Sequence, residues 1–256
     1  MRTPITACCS LAVLLALLAG EALGTPAGTP AVTPAVASVA TAVPRPAVVE
    51  LYTSQGCSSC PPADALLGEL KTHANVLALA FHVGYWDELG WPDRFALPYA
   101  DLRQSRYARS LKLSSVFTPQ VVVDGQRSFI GSDRAGILPA LSGERTGVAI
   151  AIQAEGAELQ VDVAAAAAGL PASGELLLLA LLPEAQTAIG RGENGGRTLR
   201  EFNIVRATYA LGGWNGTAHR YSLPRSSLPA DAVMVAALLQ QPDQRAILGA
   251  ATYAWH

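Results

Sequence analysis

Charge is scarce in this chain. Of its 256 residues 15 % are charged, 18 basic against 20 acidic, giving a formal net charge of −2. Lysine occurs twice, at Lys71 and Lys112, and no Lys/Arg block is present, so there is no electrostatic footprint for a phosphate backbone and nucleic acid is excluded as a partner. Metal-ligating side chains are few: four histidines, four cysteines, no second Cys-x-x-Cys and no His-x₃₋₅-His. That excludes a structural zinc site. Past the N-terminus no apolar run reaches membrane length, since Leu176 to Leu182 is strand-sized and stops at Pro183. What is abundant is apolar residue, 50 % of the chain, enough at this length to bury the core of one large domain or two small ones.

The N-terminus indicates the compartment. Arg2, an apolar run from Leu11 to Leu18, and Ala22-Leu23-Gly24 ahead of Thr25 read as a secretory signal peptide over residues 1–24. The apolar stretch is shorter than the roughly 20 residues a membrane anchor needs, and Glu21 interrupts it. Cys8 and Cys9 precede that run, so they leave with the signal. The mature chain is then expected to be soluble, periplasmic or secreted, with no stable membrane span and a single cysteine pair, Cys57 and Cys60. Residues 25–46 (TPAGTPAVTPAVASVATAVPRP) have the Pro/Ala/Thr composition of an extended spacer.

Folded sequence begins with the β-branched run Val48 to Tyr52, a turn at Thr53 to Gly56, and Cys57-Ser58-Ser59-Cys60. Pro61 and Pro62 suit a first helical turn, and Ala65, Leu66 and Leu70 carry the helix towards His73. Val76 to Phe81 is a second apolar strand, and a helical pattern returns from Tyr99 to Leu113. Gln120 to Val123 and Arg127 to Ile130 form a hairpin about Asp124-Gly125, and Ser132-Asp133 caps a helix ending near Leu141. After Glu144 seven alternating runs follow: 148–152, 159–163, 175–182, 202–209, 219–223, 232–239 and 246–253. They suggest an all-β sandwich. Arg191 to Arg197 (RGENGGR) lacks the Lys-Ser/Thr and the strand-then-helix context of a phosphate loop and reads as a hairpin connection.

A Cys-x-x-Cys between a strand and a helix has a physical rationale. The first thiol lies where free N–H groups and the positive end of the helix dipole favour thiolate, and the second sulfur stands within disulfide reach to resolve a mixed disulfide. This chemistry needs Cys57 in an electropositive, water-reachable spot. A structural disulfide closing four residues would constrain little chain entropy. Copper held by both thiolates and His82 stays open, because soft ligands suit Cu(I). Trp86, with Tyr85 and Trp91, can wall a polypeptide partner beside His82.

Strand, Cys-x-x-Cys at a helix start, β-α, then Thr-Pro before a hairpin and a last helix together resemble the thioredoxin fold. More narrowly, LYTSQGCSSCPPAD, FHVGYWDELGWPD, VFTPQVVVDG and ENGGRTLREFNIVRA resemble the secreted bacterial domain-of-unknown-function family twelve twenty-three, from Val48 to the end. The resemblance implies a cis proline at Thr118-Pro119 facing the cysteines and pairing with substrate backbone. It also implies a proton relay for Cys60 at Glu50, a carboxylate inside an apolar strand. Gly84 departs from the family in a position where relatives carry an acidic residue, so no catalytic carboxylate is expected there.

The expected architecture is α+β: a thioredoxin-like domain at 47–143 followed by an all-β sandwich-like domain at 144–256. The expected function is thiol–disulfide exchange with protein thiols and disulfides and an unidentified redox partner, without cofactor or resident metal. Cys57, Cys60 and Glu50 would be catalytic, and Thr118, Pro119, Trp86 and His82 would bind substrate. The alternatives are a non-enzymatic binding or assembly module with a structural disulfide, and a copper-binding chaperone.

Overall fold

The computed structural model describes residues 40–255. The expected signal peptide and spacer residues 25–39 lie outside them. In chain order the elements are β1 (Val43–Pro44), β2 (Ala47–Thr53), α1 (Pro61–Leu70), β3 (Val76–His82), α2 (Pro98–Ser110), β4 (Gln120–Val123), β5 (Arg127–Ile130), α3 (Arg134–Leu141) and β6 (Thr146–Gly147). The strands β7 (Ile150–Glu155), β8 (Glu158–Val163), β9 (Gly174–Ala188), β10 (Thr198–Trp214), β11 (His219–Pro224), β12 (Met234–Gln240) and β13 (Ile247–Ala254) complete the chain. The spacer ends sooner than expected. β1 pairs with β6, and Arg45 reaches Asp124 at 2.7 Å, so backbone pairing and an ion pair draw residues 43–46 into the fold.

The local signals act as their chemistry dictates. Pro61 and Pro62 occupy the first helical positions of α1, where a missing N–H costs nothing. Asp133 caps α3 by accepting from the Gly136 N–H at 3.0 Å. Asp124 and Gly125 both take positive φ, 52° and 70°, the backbone that a two-residue hairpin turn requires.

The chain is mixed α and β, but the second half does not form a sandwich of its own. One eight-stranded sheet runs β13-β12-β9-β10-β3-β2-β4-β5, crossing the expected boundary at 143/144. The seam is a parallel pairing of β10 with β3 at Ile204↔Ala80. The described residues accordingly cluster as one compact unit. Apart from the β1–β6 pair, the remaining strands form a three-stranded sheet, β11-β8-β7, so a sandwich-like layer covers part of the large sheet instead of making a separate body. All seven expected runs do become strands; what alternation along one strand does not encode is which neighbour it pairs with.

Period-2 alternation divides the core. Val49 and Leu51 of β2 pack with Leu66, Leu67 and Leu70 of α1 and Ile137 of α3. Val48 and Tyr52 face the other way, onto Phe81, Tyr107 of α2, and Leu177, Leu179 and Leu181 of β9. The intervening β9 residues Leu176 and Leu178 turn to Leu159 and Val161 of the three-stranded sheet. No helix among the described residues is long and apolar enough to cross a membrane.

Candidate functional site

β2 delivers the chain to a turn in which the Cys57 N–H donates to the Ser54 carbonyl and the Cys60 N–H to the Cys57 carbonyl, at 3.1 and 3.2 Å. α1 starts immediately afterwards. Cys57 and Cys60 are joined by a disulfide with Cα atoms 5.5 Å apart. Cys57 Sγ lies 3.4 Å from Ser59 Oγ. Ser58 and Ser59 are exposed, yet both cysteines are fully buried. The expected water-reachable sulfur is therefore not found in the disulfide-bonded form: Cys57 is 0 % exposed.

Trp86, Thr118 and Pro119 stand around this turn. The indole N–H of Trp86 donates to Thr118 Oγ1 at 2.8 Å. A Cβ on Gly56 would come within 3.1 Å of Trp86 Cβ, so Trp86 lies against the residue preceding Cys57. The Thr118–Pro119 peptide is cis, and Pro119 is buried. Pro119 accepts the Gly131 N–H through its carbonyl at 2.8 Å. Gly131 in turn separates Pro119 from Ala63 in the first turn of α1; a Cβ there would stand 2.7 Å from Pro119 and 3.0 Å from Ala63.

Two expected roles are corrected. Glu50 points to the α2 face, away from α1, and its carboxylate is engaged on both oxygens. Arg103 donates to it from Nε at 2.6 Å and from a terminal nitrogen at 2.8 Å, Tyr107 Oη at 2.6 Å and Tyr52 Oη at 3.1 Å. An acid held in a buried bidentate ion pair is a structural anchor and not a proton relay. Strand parity decides this, because Glu50 shares its face with Val48 and Tyr52. His82 is likewise no part of a substrate wall. It is 1 % exposed, and its Nδ1 lies 2.7 Å from Asp93 Oδ2 and 3.9 Å from Glu201 Oε1. Its Nε2 is buried with no hydrogen-bond partner among the described residues.

His82 belongs instead to a buried cluster on the α1 side of the sheet. Asp93 Oδ2 also accepts the Gln55 N–H at 2.8 Å. The Gln55 side chain donates to Thr187 and Glu201 at 3.0 Å and accepts from the Trp91 indole at 3.0 Å. Asp64, in the first turn of α1, accepts from Thr53 Oγ1 at 2.8 Å, while its own N–H donates to the Cys60 carbonyl at 3.1 Å. Burial pushes the Asp64 carboxyl up to about 7, against the pull of the His82 charge and the Thr53 hydroxyl. Burial would depress the His82 imidazolium, but Asp93 beside it, with Glu201 and Asp64, raises it to about 9. Burial raises Glu201 as well, whereas for Asp93 the His82 charge and two backbone amides outweigh burial and hold it below the usual carboxylate range.

The downstream half of the chain reaches this site. The tip of the β9–β10 hairpin carries Asn194, fully buried, whose Nδ2 donates to the Gln55 and Cys57 carbonyls, both at 2.9 Å. Glu193 Oε2 accepts the Ser58 N–H at 3.1 Å. The hairpin reading of RGENGGR therefore agrees with the structure, but its placement on the cysteine turn was not foreseen. Asn194, Glu193, Asp64, Asp93 and Glu201 were all missed as site residues. The available signal was their presence in the motifs CSSCPPAD, FHVGYWDELGWPD and ENGGRTLRE.

No group of three or more His, Cys, Asp or Glu side chains among the described residues is arranged to hold a metal ion. Both thiols of the copper arrangement are in the disulfide, and His82 Nδ1 is engaged by Asp93.

The chain is thus a mixed α/β protein with a buried Cys-x-x-Cys disulfide at a helix start and a cluster of buried titratable side chains. The chain belongs to the family described as protein of unknown function (DUF1223), which it matches over residues 48–240. Among solved structures it is similar to the crystal structure of protein AGR_C_4864 from Agrobacterium tumefaciens, with 28 % identity and a TM-score of 0.70 over 81 % of this chain and 93 % of that one. It also shares a fold with HBP35 of Porphyromonas gingivalis, at 13 % identity and a TM-score of 0.57, covering 82 % of this chain and 75 % of that chain. No curated protein matches the chain.

Proposed function

We propose that the protein is an exported thiol–disulfide oxidoreductase that exchanges with protein thiols and disulfides through Cys57 and Cys60. The observation that carries this reading is the Cys57–Cys60 disulfide at the start of α1, one helical turn from a carboxyl raised to about 7. The order β2-α1-β3-α2-β4-β5-α3, with Thr118-Pro119 leading into β4, supports a thioredoxin-like framework for it. In the reducing direction for the pair, a partner thiolate bonds to Cys57 Sγ and the Cys57–Cys60 bond breaks. The electron pair passes to the Cys60 sulfur, which takes up a proton. A second partner thiolate then displaces Cys57, so the partner is oxidised by two electrons and the pair is reduced. Asp64, its amide bonded to the Cys60 carbonyl, takes the acid–base role that Glu50 cannot fill. Trp86 and Thr118 border the approach.

Complete burial of Cys57 favours a second reading, a binding or assembly module with an inert bridge. The two separate in one experiment. Cys60→Ser is expressed in cells with its signal intact, mixed disulfides are captured, and the wild-type potential is measured. Exchange predicts protein adducts and a potential between about −270 and −120 mV; an inert bridge predicts no adduct and a value below about −300 mV.

A further inference from the structure

Cys57 is fully buried although Ser58 and Ser59 beside it are exposed, and the backbone of its turn is held by a segment that lies far downstream in sequence. The tip of the β9–β10 hairpin is internally braced, with the Ile189 N–H donating to the Arg197 carbonyl at 2.9 Å and the Gly196 N–H to the Ile189 carbonyl at 2.8 Å. Arg197 also donates to Asn194 Oδ1 at 3.2 Å, which orients the amide so that its nitrogen meets the Gln55 and Cys57 carbonyls. Gly192, at φ 75°, lies against Trp91, where a Cβ would stand 3.1 Å from Trp91 Cβ. Trp91 in turn bonds to Gln55. The tip therefore holds the Gln55–Ser58 segment through the Gln55 and Cys57 carbonyls and the Ser58 amide, and packs on the Trp91 that bonds the Gln55 side chain.

We propose that this hairpin tip, Gly190–Arg197, is the partner-selecting element of the site. Asn194 and Glu193 latch the cysteine turn shut, and Cys57 is released to an extended polypeptide while being withheld from small diffusible thiols. The chemistry of the latch identifies the partner class. Asn194 supplies two N–H donors to two carbonyls, and an extended polypeptide can replace them with backbone N–H groups, as in strand addition, whereas a small thiol has none to offer. Opening would leave the Gln55 carbonyl without a donor and the Cys57 carbonyl with the Cys60 N–H alone; a carbonyl stripped of its donor in a buried place is costly, so unassisted opening is rare. The use of the latch in partner choice rests on the exchange reading above; its mechanics do not.

The test is the rate at which the native disulfide is reduced by dithiothreitol, whose two thiolates attack in turn and leave as a cyclic disulfide. The same bond in the urea-unfolded chain gives the open rate. We expect the native protein to react at least tenfold more slowly than the unfolded chain, Asn194→Ala to recover about tenfold, and Glu193→Ala two- to threefold. With an unstructured peptide dithiol as reductant, the advantage of peptide over dithiothreitol should shrink in Asn194→Ala. A native rate equal to the unfolded one, or a Glu193→Ala rate equal to wild type, overturns the latch; an unchanged peptide advantage overturns its selectivity. The native-to-unfolded ratio needs no variant, so an Asn194→Ala protein that does not fold leaves the test intact. Failure of exchange itself is read separately: no trapped adduct, with slow native reduction that Glu193→Ala speeds, rejects the enzyme and keeps the latch.

Discussion

Glu50→Ala should cost the protein about 3–5 kcal/mol, the typical penalty for removing one partner of a buried ion pair. The structure supplies the terms. Arg103 is 1 % exposed, and its guanidinium would keep Gln240 Oε1 at 2.9 Å and the Tyr107 hydroxyl at 3.1 Å but lose both carboxylate bonds. Tyr107 and Tyr52, both fully buried, would lose the acceptor for their hydroxyls. Against a total stability of about 5–15 kcal/mol this is a large fraction, and at about 2–4 °C per kcal/mol for a domain of this size the melting temperature should fall by about 6–20 °C. Urea unfolding followed by tryptophan fluorescence, with the disulfide intact in both proteins, reads the difference. The double variant Glu50→Met with Arg103→Met should return to within about 2 kcal/mol of wild type, because the cost lies mainly in the orphaned charge and not in lost attraction. A loss below about 1 kcal/mol for Glu50→Ala would refute the anchor role.

Stability should also fall as the pH rises from 6.5 to 9. His82, raised to about 9 in the folded chain against about 6.5 unfolded, contributes stability that is full below about 6.5 and is lost as the pH passes its folded value. Asp64, raised to about 7, acts in the same sense lower down, since the folded chain favours its protonated form. Urea midpoints at pH 6.5, 7.5 and 9 should therefore decline, with His82→Gln flattening the upper part; a midpoint that holds or climbs contradicts the charge assignment. Gly125→Ala combines a φ of 70° with a Cβ driven onto the Arg245 backbone carbonyl. It should destabilise by more than about 2 kcal/mol, and thermal unfolding at the wild-type midpoint would exclude the close packing of the β4–β5 turn on the β12–β13 connection.

Much of the element content was legible in the sequence because the signals were local: the prolines opening α1, the Asp-Gly turn, the Asp133 cap, and the alternation of seven later strands. The cysteine pair was legible for the same reason. The pairing of β10 with β3 was not, because a parallel partner is chosen by whole-sheet packing and leaves no mark in either strand. Glu50 was misread because its position along an apolar strand says nothing of which face it takes or that Arg103 and Gln240 converge there. His82 was misjudged and Asn194 missed for the converse reason: their partners, Asp93, Glu201 and the Cys57 carbonyl, come from segments that meet only in three dimensions.

The seam between β3 and β10 also bears on how the molecule is made. As the chain emerges, β3 pairs with β2 on one flank and presents a bare row of amides and carbonyls on the other until residues 198–214 arrive. An unfinished edge of that kind invites strand capture by other chains, and closing it late depends on a long-range contact that forms slowly. Fragments ending near residue 143 should for this reason self-associate, and a chain of this design gains from being held unfolded until its last strands have followed.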